Sequence, residues 1–167
     1  MRRMNDQRIL ARLSELGLEL PPPPKAVASY VPVRVSGKLA FVAGQVPMLD
    51  GVVMHVGRIG EPSGEGDEVA SVTAEQGAEA ARQGALQALS ALREALGSFE
   101  PLAGIVQVTV YVSGVPGFAG HPTVANGASD LLVELLGESG RHARAAVGVA
   151  SLPLGASVEV VVTAELA

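Results

Sequence analysis

Cysteine is absent from this chain, which excludes disulfides, thiolate catalysis and Cys-ligated metals together. Tryptophan is absent as well, and two Tyr and three Phe are the only aromatic residues, so the core has to be assembled from Ala, Val and Leu. A core so short of aromatic area points to further burial in a subunit interface. No run of Lys or Arg exceeds Arg2-Arg3 and the formal net charge is -5. Phosphate binding needs a concentrated basic face, so nucleic acid is not the expected main partner. The three histidines, His55, His121 and His142, are scattered without ligand spacing, and no metal or cofactor is expected. His142 reads as a surface residue. Glycines are numerous but form neither GxxxxGK[ST] nor a strand-linked GxGxxG. No stretch approaches the roughly 18 consecutive apolar residues of a membrane span, and charges interrupt the first 20 residues too often for a signal peptide. A cytoplasmic protein without membrane partners is the expectation.

The length of 167 residues suits one domain. Ile9, Leu10, Leu13 and Leu16 recur at helical spacing, predicting a short amphipathic helix over 5–16 that ends at Gly17 and the proline run Pro21 to Pro24. Residues 1–24 therefore read as an N-terminal helix and proline-rich connector, and 25–167 as the domain proper. Strands from Ala28 to Val35 and from Lys38 to Val46 flank the turn pair Ser36-Gly37. A third short strand is expected over Val52 to Val56. Thr73 followed by Gln76 is a capping box that opens the longest helix, whose Leu86, Leu89, Leu92 and Leu96 share one face before Gly97. The run from Ile105 to Val112 places valine at alternate positions and reads as a half-buried strand. A helix over Thr123 to Leu136 follows, ended by Gly137.

The last segment, Arg141 to Val162, reads as two valine-rich strands joined by a Leu-Pro-Leu-Gly turn. The order β-β-(β)-α-β-α-β-β predicts an α+β fold in which two helices cover one face of a mixed sheet. Little remains to cover the other face, so self-association through it is expected. Arg144 and Glu159 are charges on buried-looking strands, where an unpartnered charge is expensive. Each calls for a partner, water or a ligand: the two pair with each other, they serve a ligand, or Glu159 simply faces solvent on the side opposite Val158, Val160 and Val162.

The string from Ala143 to Pro153 (ARAAVGVASLP) with the strand Val158-Glu159-Val160 resembles the C-terminal signature of the YjgF-like family, also called reactive intermediate deaminases or L-PSP endoribonuclease-like proteins. Tyr30 and Gly44-Gln45-Val46-Pro47 sit where that family has its Tyr and Gly-Gln-Ile/Val-Pro elements. The segment from Ala125 through Asp130 and the stretch Arg141 to Arg144 are similar to a longer branch of it.

The resemblance implies a chorismate-mutase-like fold, a homotrimer whose sheets pack into a central barrel, and ligand clefts between subunits. It implies a cofactor-independent hydrolytic deaminase of 2-imino acids or enamines such as 2-aminoacrylate. In that role Arg144 holds the substrate carboxylate, a task suited to a planar guanidinium with paired donors, and Glu159 positions the attacking water. Tyr30 from a neighbouring subunit, Gly44, Gln45, Asn126 and Ala146 complete the substrate site. All but Ala146 have a plainer explanation: a half-buried strand tyrosine, a close backbone approach, a strand-end hydrogen-bonder and an N-cap asparagine. Ala146 stands where many members have Cys or another polar residue, and Ala43 where they often have Ser or Thr. That less polar cleft keeps open a small-carboxylate-binding module without turnover, with endoribonuclease action the least favoured of the three.

Overall fold

The computed structural model describes residues 5–25, 29–61 and 71–167. Helix α1 (Asp6–Glu15) opens on Asn5, whose side chain accepts a hydrogen bond from the Arg8 N–H at 3.0 Å. Strands β1 (Val33–Ser36) and β2 (Leu39–Gln45) form a hairpin in which Ser36 faces Leu39. The turn is therefore Gly37-Lys38, one residue later than the expected Ser36-Gly37, with Gly37 supplying the left-handed φ of +58°. The start of the first expected strand, at Ala28, lies outside the described residues.

Instead of one strand over Val52 to Val56, the next segment makes two ribbons. In the first, β3 (Met48–Leu49) pairs with β4 (Val52–Val53) around Asp50-Gly51, both at positive φ as a type I′ turn demands. In the second, β5 (Arg58–Ile59) runs parallel to β6 (Ser71–Val72).

Helix α2 (Ala74–Leu96) begins with the expected capping box. Thr73 Oγ1 accepts from the Gln76 N–H at 3.1 Å, and the Thr73 N–H donates to Gln76 Oε1 at 2.9 Å. The helix stops at Gly97, where φ is +78°. Strand β7 (Leu102–Ser113), helix α3 (His121–Leu136), strand β8 (Ala143–Val149) and strand β9 (Val158–Leu166) complete the chain.

The main sheet is mixed and open, in the order β1-β2-β9-β7-β8. The expected C-terminal hairpin is not there: β7 lies between β8 and β9, parallel to the first and antiparallel to the second. The crossover through α3 makes the parallel pairing possible, and the turn at Leu152 to Gly155 carries the chain across β7 rather than back along β8.

Alternation sorts the two faces. Val108, Val110 and Val112 of β7, Val158, Val160 and Val162 of β9, and Ala40 and Val42 of β2 are buried beneath α2 and α3. On the opposite face Phe41 and Val147 remain 43% and 42% exposed, beside Thr109, Tyr111 and Val161. Helix α1 packs on the outer side of α3, burying Ile9 and Leu13 in the common core. The Asp6 carboxylate anchors it, accepting from Arg93 Nε (3.0 Å), Arg93 Nη2 (2.9 Å) and the Phe99 N–H (2.9 Å). Among the described residues no helix is long and apolar enough to cross a membrane.

Candidate functional site

Arg144 lies on the edge strand β8, opposite Val108 of β7, and so projects toward the helices. There α3 receives it. Arg144 Nη1 donates to Asn126 Oδ1 at 2.7 Å and to Ser129 Oγ at 3.2 Å. Asn126 cannot be an N-cap, because α3 starts five residues earlier and is capped at Gly120. Nor is His142 a plain surface residue. Its ring is part-buried, with Nδ1 2.6 Å from the Gly140 carbonyl oxygen and Nε2 3.0 Å from Ser129 Oγ. Ala146 follows on the same face two residues along β8, half-buried against the core.

Glu159 occupies different ground. It faces Tyr111 across the β9–β7 ladder, on the side away from the helices. A cavity of about 430 Å³ opens here, lined by Tyr30, Gly44, Gln45, Gln87, Leu154 and Glu159, with Lys25 at its wall. Burial pushes the Glu159 carboxyl above its ordinary pKa. The ladder between β2 and β9 slips between Val42 and Gln45, and at that irregularity Gly44 lies under the Glu159 carboxylate. A Cβ on Gly44 would stand 2.0 Å from Glu159 Oε1, so glycine is what gives the carboxylate its place. Gln45 ends β2, is buried, and donates from Nε2 to its near neighbour, the Ala43 carbonyl, at 2.8 Å. Tyr30 is 48% exposed and precedes β1 rather than lying in a strand. Leu154, left-handed at φ +58° and largely exposed, hangs over the cavity rim.

Helix α2 contributes Gln87 to the cavity lining, and this side chain is tied to the segment after β2. Gln83 Nε2 donates to the Met48 carbonyl and the Met48 N–H donates to Gln87 Oε1, both at 2.7 Å. Two amides one turn apart thus hold both backbone groups of Met48.

Tyr30, Gly44, Gln45 and Glu159 therefore stand together, and Asn126, Arg144 and Ala146 stand together, but the two sets do not meet within the protomer. Arg144 and Glu159 leave opposite faces of the sheet from strands two spacings apart, about 10 Å. Pairing across a hairpin is excluded, since β7 intervenes. Among the described residues no group of three or more His, Asp or Glu could hold a metal ion.

A family profile described as "YjgF/chorismate mutase-like, putative endoribonuclease" matches residues 10–166. The chain belongs to that family. Protein TCP17 of Trypanosoma cruzi is 41% identical over 160 residues, covering 95% of this chain and 94% of the relative. Among solved structures, Atu1372 of Agrobacterium tumefaciens superposes with a TM-score of 0.84 at 38% identity, covering 97% of this chain and 95% of the other. A protein of Shewanella oneidensis MR-1 gives 0.85 at 31% identity, covering 95% and 99%. The profile takes in most of α1 and the proline run, which the sequence motifs had left outside the resemblance.

Two residues of this YjgF-family chain, Ser129 and Gln87, were missed as site candidates, and His142, two residues from Arg144, reads in the sequence as a surface histidine in preference to one lining the cleft mouth. Ser129 lay within a quoted motif without a role, though its spacing of i+3 from Asn126 puts both on one helix face. His142 lacked any signal that would place its ring against Ser129. Gln87 reads as one more polar position on a long helix, and only its buried contact with Met48 singles it out.

Proposed function

We propose that this protein is a cofactor-independent hydrolytic deaminase of 2-imino acids and their enamine tautomers, acting as a homotrimer in clefts that neighbouring subunits complete. The observation that carries the reading is the division of the site. An exposed guanidinium, steadied from α3, faces one way, and a desolvated carboxylate in a cavity faces the other. The uncovered sheet face with Phe41 and Val147 supports self-association.

In the proposed chemistry Arg144 of one subunit pairs with the substrate carboxylate and Glu159 of its neighbour orients water. The water oxygen bonds to the imine carbon while Glu159 takes a proton. That proton passes to nitrogen, leaving a carbinolamine with a single C–N bond; the hydroxyl proton then follows to nitrogen as the C=O bond forms and the C–N bond breaks, so that a 2-oxo acid and ammonia leave. Imines already hydrolyse in water, so positioning supplies most of the required acceleration.

Ala146 and Ala43 favour a second reading, a module that binds a small carboxylate without turning it over. Endoribonuclease action, named in the family description, is disfavoured by the net charge of -5.

The test follows the decay of 2-aminoacrylate, generated in situ by a separate lyase, with wild type, Arg144→Ala, Glu159→Gln and a mixed assembly of the two variants. Wild type accelerates decay and each variant alone does not. Random mixing into trimers restores about one quarter of the sites, because one interface in four joins an intact arginine to an intact glutamate. No recovery on mixing overturns the cleft shared between subunits, and no acceleration by wild type leaves the binding module.

A further inference from the structure

We infer that Ser129 and His142 are positioning residues that decide which edge of the Arg144 guanidinium meets a ligand carboxylate; the inference rests on the role proposed above for Arg144. It starts from a carbonyl. The Gly140 oxygen can only accept, so at 2.6 Å it fixes the proton of His142 on Nδ1. In the neutral ring Nε2 is then an acceptor. The Ser129 hydroxyl, 3.0 Å away, donates to it.

That donation uses the only proton Ser129 has and turns its lone pairs toward Arg144 Nη1, at 3.2 Å. Asn126 Oδ1, at 2.7 Å, takes the second Nη1 hydrogen. Nη1 is thereby fully committed. A guanidinium offers a carboxylate two forks, one end-on through Nη1 and Nη2 and one side-on through Nε and Nη2. The end-on fork needs an Nη1 hydrogen and is closed. The side-on fork has no partner among the described residues.

The anchor is built to stay in place. A Cβ on Gly140 would stand 2.2 Å from the Leu132 carbonyl oxygen, so the carbonyl that fixes the histidine is packed directly on α3, the helix that carries Ser129 and Asn126. Helix, turn and edge strand are thus tied through one chain of hydrogen bonds that ends on the arginine.

The test measures binding of pyruvate and of its neutral amide, pyruvamide, by calorimetry on the full-length wild type, Ser129→Ala, Ser129→Thr, His142→Ala and Arg144→Ala. Ser129→Ala and His142→Ala are expected to weaken pyruvate about tenfold while leaving pyruvamide unchanged. Ser129→Thr, which keeps the hydroxyl, holds the wild-type ratio. Steady-state assays of the same variants show the loss in KM rather than kcat. Equal weakening of pyruvate and pyruvamide means a general structural role and overturns the inference. Wild-type pyruvate affinity in Ser129→Ala, with loss in Arg144→Ala, overturns it while leaving the arginine's role intact. Undiminished pyruvate binding in Arg144→Ala overturns both.

Discussion

Replacing Gly127 with alanine perturbs the point where the two large helices touch. A Cβ there would lie 1.9 Å from the Ala78 carbonyl oxygen, 2.6 Å from its carbon and 2.9 Å from its Cα. All three are backbone atoms of α2, so no side chain can swing aside. Ordinary contact begins near 3.4 Å, and α3 would have to lift from α2 by about 1.5 Å. Overpacking of this kind costs about 1–3 kcal/mol or more, and parting the helices adds lost contact among Ala81, Ala125, Ala128 and Leu131, all buried in the same core. Against this stands about 1 kcal/mol of improved helix propensity. A net loss of about 2 kcal/mol should lower Tm by about 4–8 °C for a chain of this size, read by circular dichroism at fixed protomer concentration. Gly97→Ala is the control, since nothing lies within 4 Å of its missing Cβ and only its left-handed φ of +78° is at stake. An unchanged or higher Tm in Gly127→Ala would refute the close crossing. Asn126 and Ser129 flank Gly127, so the same variant should also loosen the hold on Arg144.

Two further outcomes follow from ionisation. Hydrogen bonds from Arg93, and then from the Phe99 N–H, hold the Asp6 carboxyl below its ordinary pKa despite burial. Its stabilising contribution is present above the unfolded value near ~3.9 and is lost as pH falls through the folded value. Asp6→Asn should lower Tm at neutral pH and flatten the fall in Tm on acidification, and a Tm-against-pH curve superimposable on wild type would exclude the clamp. Glu159, raised by burial, contributes in the opposite sense: the fold is favoured below the unfolded value and loses that advantage as pH rises through the raised one. Glu159→Gln should therefore raise Tm at neutral pH, and under the proposed function it should cut imine turnover by about 100-fold or more and abolish an acidic limb of the rate profile. Turnover that keeps that limb in the variant assigns it to another group.

Local signals in the sequence proved sound where the chemistry is local. The Thr73–Gln76 box, the stop at Gly97 and the alternation of valines in β7 and β9 each depend on residues a few positions apart, and each formed as read except at Val106, which a register slip between Ile105 and Gln107 turns out to solvent. Strand order is another matter. Alternation reports which face a residue takes and says nothing of which strand is its neighbour, so the turn at Pro153 to Gly155 looked like a hairpin although β7 separates the strands it joins. The site divides along the same line. Arg144 and Glu159 were legible as charges in need of partners, and the family motifs singled them out. Their placement on opposite faces depends on the inserted strand. Ser129 and His142 are 13 residues apart and meet only because the short turn at 137–140 folds β8 back along α3.

Arg144 stands on β8, which has one neighbour in the sheet where β7 and β9 have two, and whose residues are exposed or half-buried throughout. Strands of this kind open at lower free energy than the global transition, and their amides exchange first. The arginine can thus leave its working position by local fraying while the valine core remains folded. With Arg144 as the ligand anchor proposed above, loss of ligand recognition then precedes loss of the fold on warming, and a subunit seated against β8 would close that gap by protecting the strand.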